Sequence, residues 1–114
     1  MASPALNEWR KAIKAALNAL VADPFPAEAC VNARVVFDDE HDVYLVIVHG
    51  WKGVKRLHGI LAHIEINDGK VWIQQDGTEH GLATDLLDGG IPRDRIVLGF
   101  KAPSSRSITN FAVA

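Results

Sequence analysis

Asp68-Gly69 lies between two runs of alternating apolar residues, and this pair constrains the fold more than any other feature of the chain. Asp-Gly is a preferred centre for a two-residue type I′ turn, whose twist matches that of two paired strands. Such a turn pairs Ile66 with Val71 and Ile64 with Ile73 on one face of a sheet. The opposite face then carries Glu65 beside Trp72 and His63 beside Gln74.

The period of two extends upstream. Val31, Ala33, Val35 and Phe37 alternate with Asn32, Arg34 and Asp38, as in a half-buried strand. Val43–Trp51 is apolar on both faces, which predicts a central strand. Lys52-Gly53 reads as the turn into a long third strand, Val54–Ile66. The acidic run Asp38-Asp39-Glu40-His41-Asp42 lacks the spacing and glycine of a calcium loop and is expected as a solvated turn. With a two-residue loop at Lys52-Gly53, Tyr44, Val46, Val48, Leu57 and Leu61 join the face of His63, Glu65, Trp72 and Gln74. Val35, Phe37, Leu45, Ile60, Ile64 and Ile73 are left as an aliphatic face for helices.

Helical spacing flanks this meander. Ser3-Pro4 is a helix-start signal, and Leu6, Trp9, Ile13, Leu17, Leu20 and Val21 form one apolar stripe that Asp23-Pro24 and Pro26 end. Thr78 is expected to cap a short helix over Leu82–Asp88, closed by Gly89-Gly90. Ile96–Phe100 reads as a last strand, before a tail over Lys101–Ala114. The expected fold is α+β in two layers: an N-terminal helix, a four-stranded antiparallel meander, a second short helix and a final strand. At 114 residues, one domain spans 1–114.

Chemistry is sparse. A net charge of −2 gives no electrostatic footprint for sequence-independent DNA binding. Cys30 is the only cysteine, which excludes a multi-cysteine zinc site, and it is expected as a small buried side chain. The sequence has no phosphate-binding glycine loop, nucleophile elbow or dinucleotide fingerprint. His58 and His63, five apart on a strand, are expected on opposite faces, and His41, His49 and His80 show no ligand spacing. No cofactor or metal is expected. Met1–Asn7 lacks a basic start followed by an apolar run, so a cytoplasmic location is expected. The longest apolar run, around Tyr44–Val48, is far too short to span a bilayer.

The stretch Trp72-Ile73-Gln74-Gln75-Asp76-Gly77-Thr78-Glu79, then Gly90-Ile91-Pro92-Arg93-Asp94-Arg95-Ile96-Val97-Leu98-Gly99-Phe100, then Arg106-x-x-Thr109-x-Phe111-Ala112-Val113, resembles the XisI family. The likeness continues upstream through Phe37-Asp38, His41-Asp42-x-Tyr44, Gly50-Trp51 and Asp68-Gly69-Lys70. Lys101 stands where the family has histidine, and Asn110 where it has glycine. The resemblance implies an accessory factor for excision of a DNA element, the fdxN element of cyanobacteria in the founding member. It also implies an XisH-like, nuclease-fold partner, and it carries over no catalytic residue.

The expected function is therefore protein contact rather than catalysis, with an XisH-like protein or a second copy as partner and without a membrane or strong direct nucleic-acid binding. Its candidate contact residues are Tyr44, Leu57, Leu61, His63, Glu65, Trp72 and Gln74 on the mixed sheet face, with Arg106 and Phe111 of the tail. Two alternatives stand beside it. One is a small hydrolase or nuclease component using His63, Glu65 and the acidic loop. The other is DNA binding through the hairpin tip of Lys52, Lys55 and Arg56.

Overall fold

The structure, a computed structural model, describes residues 4–22 and 30–114. The helix-start signal at Ser3 and the stop signals at Asp23-Pro24 and Pro26 lie outside the described residues. Helix α1 (Pro4–Ala22) is followed by strands β1 (Cys30–Asp38), β2 (Val43–Lys52), β3 (Lys55–Asn67) and β4 (Lys70–Asp76). Helix α2 (Leu82–Asp88) leads through a short 3-10 turn to β5 (Ile96–Leu98), and a second 3-10 turn at Pro103–Ile108 opens the tail. The five strands are ordered β1-β2-β3-β4-β5, and all neighbours are antiparallel except β4 and β5. The final strand thus closes a mixed sheet beside β4, through the α2 crossover that a parallel pair requires.

Asp68 and Gly69 both have positive φ, 52° and 72°, as a type I′ turn demands. The earlier hairpin turns one residue later than expected. Lys52 pairs with Lys55, so the loop is Gly53-Val54, with the positive φ that a type II′ turn needs falling on Gly53. After α2 the chain closes in a Schellman motif: Ile91 N–H donates to the Leu86 carbonyl and Gly90 N–H to that of Leu87. Gly90, at φ 97°, is its left-handed residue. The α2 start corrects the sequence expectation. Asp76 is the capping carboxylate, accepting from Leu82 N–H at 2.8 Å and from Thr78, while Thr78 Oγ1 accepts from Gly81 N–H.

Two β-bulges decide which face each residue occupies. Val46 pairs with Ala62 but Ile47 with Ile60, so Leu61 is an extra residue. His63 pairs with Gln75 but Ile64 with Ile73, so Gln74 is another. An inserted residue reverses the alternation on one side of it. Tyr44, Val46, Ala62, Ile64, Val71 and Ile73 therefore share one face and are fully buried, together with Ile13 and Leu17 of α1 and Leu82 and Leu86 of α2. Val35 and Phe37 pack there as expected. Leu45 and Ile60 do not, and Ile60 is 45% exposed on the other side.

Candidate interaction face

Both helices pack on the core face, α1 against β1 and β2, and α2 against β4. No helix among the described residues lies over the other face. Cross-strand partners in the ladders lie on the same face, which orders this one into rows. Asp38, Val43, Glu65, Trp72 and Val97 form one row; Val36, Leu45, His63 and Gln75 form the next. Then come Arg34, Ile47 and Ile60, followed by Asn32, His49 and His58. Val36, Leu45, Ile47 and Ile60 make a contiguous aliphatic strip, with Val36 43% exposed.

The tail covers only the β5 end. Ala112 N–H donates to the Ile96 carbonyl at 2.9 Å, and Ala112 bridges Val97, which is fully buried. Arg106 holds the tail to the face. Its guanidinium lies 5.3 Å from the Trp72 ring centre and donates to the carbonyls of Lys101, Gly99 and Val113. Phe111 packs toward the core, with the Arg93 guanidinium 4.8 Å from its ring centre. Asn110 sits at φ 65°, a left-handed position that explains why glycine suits it and why asparagine replaces it best.

Of the sequence-derived contact residues, His63, Glu65 and Trp72 stand on the helix-free face, and Arg106 joins them through Trp72. Tyr44 does not. It is fully buried on the core face, its ring 5.9 Å from Phe37, and its hydroxyl lies 2.9 Å from carboxylate oxygens of both Asp39 and Asp42. Leu57 pairs with Gly50 on the core side, because the bulge at Leu61 reverses its face relative to His63. Leu61 is the bulge residue and packs against the core beside Gly77. Gln74 is the second bulge residue and turns to Gly99, leaving Gln75 opposite His63. Sequence alternation alone missed Val36, Leu45, Ile47 and Ile60 as the centre of this face. Their aliphatic character was plain, but nothing in the sequence marks a bulge at Leu61.

His63 Nε2 lies 3.1 Å from Glu65 Oε2, yet the angle is poor, and this buried nitrogen has no well-formed hydrogen-bond partner. The same bulge puts His58 and His63 on one face, correcting the expectation of opposite faces, and sets His49 directly opposite His58. Among the described residues no group of three or more His, Cys, Asp or Glu side chains is placed to hold a metal ion. Cys30 is exposed at the start of β1, rather than buried as expected.

The acidic turn is exposed at Asp39, Glu40 and His41, as expected of a solvated loop, but α1 also anchors it. Arg10 of α1 forks onto both Asp42 oxygens, at 2.7 and 3.1 Å, and Lys14 reaches Asp39 at 2.7 Å. These bonds hold the carboxyls of Asp42 and Asp39 below the usual carboxylate range, while the Arg10 guanidinium is held further above its own. Burial, and then the two carboxylates, push the Tyr44 hydroxyl well above its ordinary value. Asp38 is likewise lowered by His41, 2.8 Å away. Asp39 and Asp42 are thus engaged by α1, on the core side, whereas His63 and Glu65 stand on the other side of the sheet. The two sets form no single catalytic constellation.

The family model for the XisI protein matches residues 4–113. The chain belongs to the XisI family. A crystal structure of the fdxN element excision controlling factor XisI from Anabaena variabilis is similar at a TM-score of 0.80 and 34% identity, over 96% of this chain and 98% of that one. A crystal structure of a XisI-like protein from the same organism is similar at 0.80 and 31% identity, with the same coverage. No curated protein matches the chain. No helix among the described residues is long and apolar enough to cross a membrane.

Proposed function

We propose that this XisI-family chain is a non-catalytic accessory factor of DNA-element excision that works by docking its helix-free sheet face on an XisH-like protein. The excision role comes from the solved relative described as an excision controlling factor. The docking surface rests on the aliphatic strip of Val36, Leu45, Ile47 and Ile60, which carries two residues more than two-fifths exposed. Soluble proteins seldom leave such a patch bare, and interfaces favour apolar centres with aromatic and polar borders. Trp72 with Arg106, His63 with its unsatisfied Nε2, and Glu65 supply that border.

The test is calorimetric titration of an XisH-like protein with the wild-type chain and with Ile60→Asp and Trp72→Glu. Ile60 is the cleaner site, because its exposure lets a charge stay solvated in the free protein. Each substitution is expected to weaken binding by tenfold or more, about 1.4 kcal/mol or greater, with circular dichroism of Ile60→Asp unchanged. Undiminished affinity in both variants would remove the face from consideration.

A further inference from the structure

The sheet has a second unfilled feature, independent of the docking face: the outer edge of β1. Ile66 N–H donates to the Asp42 carbonyl at 3.1 Å, which makes Asp42 and Ile66 a hydrogen-bonded pair. Pairs alternate along an antiparallel ladder, so Tyr44 and Val46 direct their backbone groups to β3, and Val43, Leu45 and Ile47 direct theirs to β1. Their partners Asp38, Val36 and Arg34 therefore bond β2. The N–H and C=O groups of Val31, Ala33, Val35 and Phe37 point outward, and no strand among the described residues pairs with them.

Edge strands are commonly blunted by proline, a bulge or several charges. β1 has no proline, runs nine residues against β2 without a register shift, and carries Arg34 as its only charge before the terminal Asp38. Those two charges, with Val36 midway between them, give the strand the pattern it needs to pair with itself. In an antiparallel pairing centred on Val36, each Arg34 stands opposite Asp38 of the second copy. Opposite charges in that position stabilise a sheet. A pairing centred on Arg34 would instead set the two guanidinium groups against each other.

We propose that β1 is a homodimerisation edge, on which a second copy of this chain adds its own β1 antiparallel about a twofold axis at Val36, making one continuous sheet. Val35 and Phe37 exchange backbone hydrogen bonds with Phe37 and Val35 of the second copy. Val36 meets Val36 of the second copy in a non-hydrogen-bonded pair, the kind in which side chains approach most closely.

Light scattering on the full chain at tens of micromolar measures the assembly, and cross-linking measures its register. In a Cys30→Ser background, Val36→Cys is expected to form an intermolecular disulfide under mild oxidation, since the two Cα atoms of such a pair lie about 4.5 Å apart. Asn32→Cys, equally exposed but off the axis, is expected to stay reduced. Arg34→Glu should weaken dimerisation by about tenfold by setting like charges opposite each other, with its circular dichroism unchanged. A monomeric wild type overturns the proposal. So does a dimer that Arg34→Glu leaves intact or in which Val36→Cys cross-links no faster than Asn32→Cys, since such a dimer is built on another surface.

Discussion

Tyr44 is the residue whose position departs furthest from sequence expectation, and the departure is informative. Alternation from an assumed turn put it on the outer face, but the structure buries it and spends its hydroxyl on Asp39 and Asp42. Tyr44→Phe keeps the ring against Phe37 and removes only those bonds. It is expected to lower unfolding free energy by about 1.5–3 kcal/mol in urea titration, as for a bond to a charged acceptor. Truncations separate the two faces. Leu17→Ala and Ile64→Ala, both fully buried, should each cost on the order of 2–5 kcal/mol, and Ile60→Ala within about 1 kcal/mol. Similar losses at Ile60 and Ile64 would mean that the faces are assigned wrongly.

At the scale of elements, most of the fold was legible because its signals are local. The stripe of Ile13 and Leu17, the Asp68-Gly69 turn, the bounds of α2 and the glycine after it are each set by neighbours in sequence. The candidate site was half legible, because His63, Glu65 and Trp72 are fixed by that turn, whereas Tyr44, Leu57 and Leu61 depended on counting through a bulge. No residue type at Leu61 announces the bulge there. The acidic turn was legible as an exposed loop, but its anchoring by Arg10 and Lys14 was not, since these partners are 25 to 32 residues away. That latch between α1 and the β1–β2 turn sets a pH dependence. The folded-state carboxyls of Asp39 and Asp42 lie below their unfolded values near pH 4, so their stabilisation is full above that range and fades as pH falls through the folded values. Urea midpoints of the wild type should drop between pH 5 and pH 2. Arg10→Gln should start lower at pH 7 and fall less, and parallel curves for the two proteins would show that the latch contributes nothing.

For the whole molecule, the question is whether this XisI-family chain touches DNA itself. Duplex binding is dominated by phosphate contacts, which need several free cations on one surface. Here the cations are dispersed and partly committed. Arg10 and Lys14 are paired with carboxylates, while Arg93 and Arg106 lie over Phe111 and Trp72. Lys52, Lys55 and Arg56 gather at the β2–β3 tip beside the exposed Val54, but Arg56 is stacked on Trp51, 5.2 Å from its ring centre. Three side chains on one tip neutralise few phosphates, and the net charge of −2 opposes approach of a polyanion. The isolated chain is therefore expected to give no sequence-dependent gel shift at sub-micromolar concentration near 150 mM salt. It should bind weakly at low salt at most, and replacing both Lys52 and Lys55 with glutamine should abolish that residual binding. If a specific, salt-tolerant shift appears and is lost in the same double variant, the tip is a DNA reader. Contact with a protein partner would then no longer suffice to explain the function proposed for the chain.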